Sequence, residues 1–321
     1  MSVSPVEQER VAMALHVVIG AGPVGSATAL LLAERGDDVR LLTRGGAGPE
    51  HARVHRLRVD ATDPAALAEQ CAGATAIFQC AGLPYARWTT GFPPLNDAAI
   101  GAAESSGAVL VSVGNLYGYG EFDGAVTESH PLRPNSVKGR LRAELWEAAL
   151  AAHGAGRIRA AEVRGSDYLG AGAKSTFTET VLPAVVAGRT ALFPGDPDAP
   201  HSWTAVEDVA RTAVAVADDE SAWGRAWHVP TAEPMSVRAL AELAASLTGT
   251  APARVRRMPS VLLWAAGLVN ADARELRELR YQFDRPFVLD STAATKEFGI
   301  EPTPTGEALR ATLDTRDAAA E

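Results

Sequence analysis

The hydrophobic pattern of the first half of the chain alternates between short apolar runs and longer amphipathic stretches. The apolar runs predict buried strands at 15–19, 38–44, 53–60, 75–82, 108–115 and 157–165. The stretches between them predict helices that end at Gly36, begin after Asp63, span 96–107, and run from an N-cap at Ser136 to Gly154. This repeated alternation predicts an α/β protein with an open, doubly wound parallel sheet. Ligands then bind beyond the C-terminal ends of the strands.

The first strand is followed directly by the glycine motif "GAGPVG" at 20–25. Gly20 permits a tight turn, Gly22 lets the backbone approach a pyrophosphate, and Gly25 lets the next helix pack closely on the strand. The helix N-terminus, with Pro23 and Val24, then faces the phosphates. Between a predicted strand and a predicted helix, the motif indicates dinucleotide binding, and the alternative is a glycine-rich turn that binds nothing.

The end of the second strand indicates which dinucleotide is bound. An acidic residue there would accept a hydrogen bond from the ribose 2′-hydroxyl, whereas an arginine suits a 2′-phosphate. Asp37 and Asp38 precede the strand body, and Thr43 and Arg44 stand at its end. The sequence therefore favours NADP(H) over NAD(H). The alternative is that Arg44 is a solvated surface charge.

The pattern predicts a division of the chain into three parts. Residues 1–13 are polar and are expected to form a disordered extension, and residues 14–165 form a Rossmann-type dinucleotide-binding domain. Residues 166–321 form a smaller, mostly helical substrate domain, from which some segments return to the sheet. The cleft between the last two parts is the expected site.

Composition excludes several classes of function. The net charge of −9 argues against a nucleic-acid or anionic-membrane partner, and the apolar run 261–269 is too short to span a bilayer. Two cysteines are too few for a disulfide framework, so a reducing cytoplasm is expected. No metal is expected, because His51 and His55 lie in a predicted strand and so cannot form a helical i,i+4 metal pair.

Several further segments, in this order along the chain, carry a family resemblance. They are "GAGPVG" at 20–25, "DATD" at 60–63, "QCAG" at 79–82, "VSVGNLYG" at 111–118, "EVRGSDYLG" at 162–170 and "HSWTAVEDVA" at 201–210. The chain resembles the short-chain dehydrogenase/reductase superfamily, and most closely its extended NAD(P)-dependent epimerase/dehydratase branch. The resemblance implies cofactor contacts at Gly20, Gly22, Pro23, Val24, Gly25, Arg44, Asp60, Ala61, Cys80, Ala81, Gly82, Lys138 and Arg164.

The resemblance also implies an active-site serine at Ser112 and exposes a departure from the family. Family members carry a catalytic tyrosine with a lysine four residues later, on the helix that follows a proline-rich loop. Here Lys138 stands where the tyrosine is expected and Arg142 where the lysine is expected, and none of the five tyrosines has a lysine at that spacing. Tyrosine-based dehydrogenation is therefore not expected.

Lys138 and Arg142 share a helical face and suggest a different chemistry. Arg142 can hold a ribose through its planar donors, and an ammonium at Lys138, with the Ser112 hydroxyl, can stabilise or protonate a carbonyl oxygen. These three residues predict an NADP(H)-dependent reductase of a small carbonyl or enone-type substrate. Two alternatives remain open: a non-redox isomerase, epimerase or dehydratase that uses bound NAD(P), and a catalytically silent NAD(P)-sensing protein. In the last case both cations are simple surface or cofactor contacts.

The expected ligand is a small-molecule substrate. Four aromatic residues near strand ends or in turn-rich loops are predicted to bind it, namely Tyr117, Tyr168, His201 and Trp203. A homodimer is a further expectation, because the family often uses the helices near 96–106 and 136–153 as its dimer face.

Overall fold

The computed structural model of the protein describes residues 13–259, 261–262, 264, 268, 274 and 276–318. Apart from Met13, the extension predicted at 1–13 lies outside the described residues, as does most of the apolar run 261–269. No helix within the described ranges is long and apolar enough to cross a membrane.

A parallel seven-stranded sheet forms the centre of the described structure, in the order β11-β7-β5-β4-β1-β2-β3. Its strands are β1 (Leu15–Ile19), β2 (Asp38–Thr43), β3 (Val54–Arg58), β4 (Ala76–Gln79), β5 (Val109–Asn115), β7 (Arg159–Gly165) and β11 (Ala226–His228). The predicted strands lie where the sequence pattern placed them, and each differs by at most two or three residues at its ends. The doubly wound α/β prediction is confirmed.

Helices cover both faces of this sheet, which explains why its central strands β1 and β4 are buried and largely apolar. The flanking helices are α1 (Pro23–Arg35), α2 (Pro64–Cys71), α3 (Trp88–Ser106), α4 (Val137–Gly154) and α6 (Val206–Asp218). α2, α3 and α4 contribute to one buried cluster, and α1 and α6 to the other. Adjacent strand residues alternate between the clusters: Val17 joins the first and Val18 the second, both with no exposed surface.

Local sequence signals set the ends of the helices. Asp63 caps α2 by accepting hydrogen bonds from the amides of Ala65 and Ala66, and Ser136 caps α4 by accepting one from the Gly139 amide at 3.0 Å. Gly36 ends α1 in the left-handed region, with φ of 101°. The α4 start and its N-cap are therefore those that the sequence predicted.

Helix α3 begins eight residues earlier than the predicted start at 96. Pro93 and Pro94 lie inside it and would normally mark a helix boundary, because proline has no amide hydrogen and disfavours helix before it. They fall in the second turn of the helix, opposite the carbonyls of Thr89 and Thr90, and both threonines are exposed. Solvent can therefore satisfy the carbonyls that the prolines leave without donors.

The second half of the chain forms a smaller layer with its own core. It contains short parallel pairings of β8 (Asp167–Leu169) with β10 (Trp203–Ala205) and of β9 (Thr190–Phe193) with β12 (Arg254–Arg257). Its strand β13 (Val288–Leu289) pairs in parallel with β6 (Ala125–Val126) of the first half. Its helices are α5 (Leu182–Val186), α7 (Val237–Thr248), α8 (Tyr281–Asp284), α9 (Thr292–Phe298) and α10 (Thr305–Ala318). One segment of this half returns to the central sheet, where β11 pairs with β7 and places Trp227 opposite Val163.

Candidate active site

The glycine motif forms a tight cradle at the C-terminal end of β1. Gly20 has φ of +96°, and a Cβ atom there would lie 2.7 Å from the Ala81 Cα. A Cβ on Gly25 would lie 1.9 Å from the Gly20 carbonyl oxygen, so this position of α1 admits only glycine. By contrast, a Cβ on Gly22 would meet nothing within 4 Å. The cradle is closed towards the protein and open at the N-terminus of a 13-residue helix, which fits a dinucleotide pyrophosphate.

The ends of β2 and β3 place Arg44 and Asp60 at the same edge. Arg44 is exposed immediately after β2. The Asp60 carboxylate accepts hydrogen bonds from the Thr62 hydroxyl at 2.8 Å and the Thr62 amide at 3.1 Å. These bonds lower the pKa of Asp60, and the charge of Arg44 adds a smaller effect in the same direction. Ala61 follows in the same turn, so these three predicted cofactor contacts are neighbours.

Beyond β4, the segment Cys80-Ala81-Gly82 closes the other side of the glycine cradle. Ala81 contacts Gly20, and the side chain of Cys80 lies within 3.2 Å of a Cβ built at Gly25. Burial raises the pKa of the Cys80 thiol to about 12, so this residue is a neutral packing group at neutral pH. The predicted cofactor-lining residues of β1 and β4 therefore meet.

Lys138 is buried at the start of α4, with 2% of its side chain exposed. Its ammonium donates a hydrogen bond to Glu278 Oε1 at 2.6 Å. The other carboxylate oxygen of Glu278 accepts a hydrogen bond from the Val137 amide at 2.7 Å. One carboxylate of the second half therefore binds both the first amide of α4 and the lysine that follows it.

Arg142 lies one turn further along α4, between aromatic rings. The centre of its guanidinium is 4.5 Å from the ring centroids of both Trp88 and Phe92. Its Nη1 donates a long hydrogen bond of 3.4 Å to the Val113 carbonyl, and its buried Nε has no hydrogen-bond partner in the described part of the chain. Burial lowers the pKa of Arg142. This guanidinium thus has unused hydrogen-bonding capacity.

Two tyrosine hydroxyls meet beside these cations. Tyr85, in the 3-10 turn Tyr85–Arg87 after β4, has its hydroxyl 2.9 Å from that of Tyr117, in the 3-10 turn Leu116–Tyr119 after β5. Trp88 stacks on Tyr117, and the Lys138 ammonium lies 5.4 Å from the Tyr85 ring centroid. Burial, followed by the nearby Tyr85, raises the pKa of Tyr117 well above its ordinary value.

Ser112 and Tyr168 lie near the same edge. Ser112 is half-buried in β5, next to Val113, whose carbonyl contacts Arg142. Tyr168 follows β7, and burial raises its pKa while the charge of Arg142 acts in the opposite direction. The structure therefore brings Ser112, Tyr117, Tyr168 and the two α4 cations into one region. Their predicted catalytic and binding roles stay predictions.

Arg164, which the resemblance predicts as a cofactor contact, is buried in this region and already bonded to protein groups. It is 5% exposed, its Nε donates to Glu162 Oε2 at 2.5 Å, and its Nη1 donates to the Tyr119 hydroxyl at 2.7 Å. Buried charges require such partners, and these partners occupy the guanidinium. Its position at the end of a strand does not imply exposure, because β11 pairs with β7 opposite this residue.

His201 and Trp203, which the sequence predicts to bind substrate, are also buried and hydrogen-bonded. His201 is 3% exposed, its Nε2 lies 2.8 Å from Asp167 Oδ2, and its ring stacks on Phe283. Trp203 is 4% exposed and donates its indole N–H to the Met235 carbonyl at 2.7 Å. The turn-rich loop before them suggested exposure, but they complete the core of the second half.

Three residues of this region were not predicted from the sequence: Tyr85, Trp88 and Glu278. Tyr85 stands three residues after the predicted cofactor segment that ends at Gly82, so its place in a loop beyond a parallel strand was an available signal. Glu278 is separated from Lys138 by 140 residues, and no local pattern connects them. Among the described residues, no cluster of three or more His, Cys, Asp or Glu side chains could hold a metal ion.

Comparison with known proteins agrees with this architecture. MoeE5 in complex with UDP-glucose and NAD is similar at a TM-score of 0.78 and 21% identity, over 95% of this chain and 99% of that one. UDP-glucuronic acid 4-epimerase from Bacillus cereus in complex with NAD has a TM-score of 0.78 and 15% identity, over 96% and 100% of the two chains. UDP-glucose 4-epimerase from Thermotoga maritima with UDP-glucose has a TM-score of 0.76 and 17% identity, also over 96% and 100%.

These likenesses show the fold, and no curated protein sequence matches the chain. The family follows from the sequence itself. Residues 16–229, about two thirds of the chain, match the model of the NAD dependent epimerase/dehydratase family. The match covers the glycine cradle, the two tyrosine turns and α4. The protein therefore belongs to the NAD-dependent epimerase/dehydratase family of enzymes.

Proposed function

We propose that this protein is an epimerase or dehydratase of a nucleotide-linked sugar that works with a bound nicotinamide dinucleotide. One observation carries the proposal: an open glycine cradle and a cluster of proton-bearing side chains lie at the same edge of one parallel sheet. The family membership supports the reaction class. The similar structures that hold UDP-sugars and NAD support the substrate class.

Residues at different positions of the site have different roles. The cradle at Gly20, Gly22 and Gly25 binds the pyrophosphate, and the spare guanidinium donors of Arg142 bind the nicotinamide ribose. Ser112 donates a hydrogen bond to the reacting substrate oxygen. When bound, the nicotinamide takes a hydride from a carbinol carbon and gives it back, which permits a net non-redox reaction.

A polar cavity lies beside Lys138 and its carboxylate partner. It has a volume of about 460 Å³, and its lining carries both acidic and basic side chains: Glu121, Asn135, Arg277, Glu278, Tyr281, Asp284 and Arg285. The Nε of Arg277 and the hydroxyl of Tyr281 are buried without a hydrogen-bond partner in the described part of the chain. Arg277 therefore has a free donor for a substrate oxygen, whereas Arg285 is paired with Glu121 and Asp123. The cavity adjoins the carboxylate that holds Lys138.

The reductase of a small carbonyl or enone, which the sequence favoured, is the competing function. The family and the similar structures support the epimerase/dehydratase alternative better. The two functions differ in the fate of the cofactor. A reductase consumes one NAD(P)H for each product molecule, whereas an epimerase returns the cofactor to its starting state.

The first experiment incubates the purified protein with UDP-glucose or UDP-glucuronic acid and catalytic NAD⁺ or NADP⁺. We expect NMR to detect an epimer or an elimination product while nicotinamide absorbance returns to its initial value. Gly25→Ala should abolish cofactor binding, because its Cβ would overlap the Gly20 carbonyl. Gly101→Ala, in an exposed part of α3 where a Cβ meets nothing within 4 Å, is the matched control. Stoichiometric NADPH consumption with a carbonyl substrate would instead support the reductase.

We also propose that NADP(H) is preferred over NAD(H). The support is the exposed Arg44 at the end of β2, where no acidic residue follows Thr43. Arg44→Ser should weaken NADP⁺ binding about tenfold or more, the effect of losing one charge-assisted hydrogen bond, and leave NAD⁺ binding nearly unchanged. Arg189→Ser, an exposed arginine of the second half, is the control. An equal loss of affinity for NADP⁺ and NAD⁺ in a calorimetric titration of Arg44→Ser would contradict the preference.

A further inference from the structure

Exchanging a proton with a substrate oxygen requires an accessible side chain, and Lys138 is not accessible. Only 2% of the Lys138 side chain is exposed, and its ammonium is hydrogen-bonded to Glu278. A substrate oxygen would have to displace this carboxylate to reach the nitrogen. Tyr117 is also buried, at 8% exposure. Tyr85, by contrast, is half-buried and adjoins both of them.

We propose that Tyr85 is the catalytic residue that exchanges a proton with the substrate hydroxyl, and that Tyr117 is a positioning residue that holds the Tyr85 oxygen. This inference rests on the proposed function and deepens it. Tyr85 comes from the loop after β4, whereas the family signature places the tyrosine on α4. The chain would thus supply a phenol to the same edge of the sheet from a different element.

The two tyrosine hydroxyls are within hydrogen-bond distance, so either one can donate to the other. Because Tyr117 is buried and its pKa is raised, it remains a neutral phenol and can donate its hydrogen to the Tyr85 oxygen at 2.9 Å. A phenolate at Tyr85 would then accept a hydrogen bond from Tyr117, and a phenolate oxygen can accept more than one hydrogen bond. The contact therefore favours proton acceptance by the more exposed member of the pair.

Arg142 supplies the positive charge that a tyrosinate needs. It interacts electrostatically with both Tyr85 and Tyr117, and its hydrogen bond to Val113 leaves its charge undiminished. Lys138 contributes less, because Glu278 neutralises it. The other titratable groups that face the pair are Tyr281, whose pKa is influenced by Tyr85, and Asp167, which acts on Tyr117.

The proposed step balances in atoms and electrons. The O–H bond of the substrate carbinol breaks, and its proton moves to the Tyr85 phenolate oxygen. The C–H bond at the same carbon breaks, its hydrogen and electron pair pass to the oxidised nicotinamide, and the carbinol becomes a ketone. In the return step, Tyr85 gives the proton back as the hydride re-adds to the carbonyl carbon.

The test compares Tyr85→Phe with Tyr119→Phe, a matched removal of a hydroxyl outside the site. We expect kcat for Tyr85→Phe to fall roughly 10²–10⁴-fold, the usual contribution of a positioned acid or base, with intact cofactor binding. Tyr119→Phe should retain turnover at a temperature where both variants are folded. For Tyr117→Phe, kcat should fall less. Arg142→Met removes the positive charge that stabilises a tyrosinate, so the acidic limb of its pH profile of kcat/KM should move to higher pH.

A second readout does not depend on turnover. In the cofactor-free protein, the near-ultraviolet tyrosinate signal that appears first on raising the pH should vanish in Tyr85→Phe and persist in Tyr119→Phe. If the wild type turns over sugar nucleotides and Tyr85→Phe does so equally well, the inference is overturned. If the wild type has no such activity, the proposed function fails, while the tyrosinate titration still tests whether Tyr85 is the residue that ionises first.

Discussion

Two arginines near the same edge of the sheet, Arg164 buried and Arg142 half-buried, differ in how their donors are used. Arg164 bonds to Glu162 and Tyr119, whereas Arg142 has one long bond to a carbonyl and an unpartnered Nε. Burial acts to lower both pKa values. At Arg164 the charge of Glu162 and the hydroxyl of Tyr119 outweigh burial and raise the pKa, but at Arg142 burial dominates and the pKa falls.

The bonds of Arg164 continue as a chain in which each donor has an acceptor. The Tyr119 hydroxyl lies 2.8 Å from His228 Nε2, and His228 Nδ1 lies 2.9 Å from the Asp290 carbonyl oxygen. Because a carbonyl only accepts, Nδ1 carries the hydrogen and Nε2 accepts from Tyr119. A complete chain of this kind holds strand ends together. An incomplete one, as at Arg142, leaves donors for a ligand.

The largest expected effect comes from removing the Arg164 charge. Arg164→Met leaves Glu162 buried without its partner, and we expect the free energy of unfolding to fall by about 3–5 kcal/mol. Urea denaturation measures this. Arg157→Met, which removes an exposed ion pair with Glu104, should cost at most about 1 kcal/mol. Similar losses in the two variants would contradict the structural role of Arg164.

Arg142→Met should reduce turnover much more than it reduces stability. Methionine can keep the contacts with Trp88 and Phe92, and few hydrogen bonds are lost, so unfolding should change by less than about 1 kcal/mol. Turnover should fall about 10²–10³-fold, the usual cost of losing one preorganised donor. Stability and kcat measured on the same preparation provide the comparison. Destabilisation as large as that of Arg164→Met would remove the distinction between the two arginines.

A smaller effect is expected from breaking the chain at its middle. Tyr119→Phe leaves an Arg164 donor and the His228 acceptor without their common partner. The substitution keeps the aromatic ring in place. The loss in the free energy of unfolding should therefore equal the cost of leaving these polar groups buried without a partner, about 1–3 kcal/mol. Thermal and urea denaturation should agree on this value. No loss of stability would indicate that water replaces the hydroxyl.

The smallest effect is a dependence on pH. Burial lowers the pKa of His228, so as pH falls the unfolded chain gains this proton first, near pH ~6.5. The stabilisation is fully present above that pH and is lost as pH falls towards the folded pKa, with a slope of at most about 1.4 kcal/mol per pH unit. His228→Gln should reduce the slope. Part of it should persist, because burial also lowers the pKa of His16. An unchanged slope would contradict the prediction.

The sequence predicts the features that local pattern determines. Strands, the Ser136 cap and the glycine cradle each depend on a few adjacent residues, and the structure has them where the pattern placed them. The start of α3 was missed because Pro93 and Pro94 look like a boundary when the exposure of their partner carbonyls is unknown.

The candidate site was harder to predict, because it depends on packing between distant segments. Lys138 and Arg142 stand at recognisable positions, but the carboxylate that binds Lys138 comes from residue 278, and Tyr85 meets Tyr117 only when two loops fold together. His201 and Trp203 look like pocket aromatics in sequence and are core residues in the structure. Periodicity does not distinguish an aromatic side chain that faces a ligand from one that faces other side chains.

The strand Ala226–His228 has a consequence for how the chain is made. It covers the outer edge of β7, but the ribosome synthesises it only after the whole segment between β7 and this strand. Until then a nascent chain presents the unpaired amides and carbonyls of Arg159–Gly165 to other nascent chains. Translation that stops between these strands would therefore yield polypeptides prone to edge-to-edge association, and quality control during synthesis matters most over this interval.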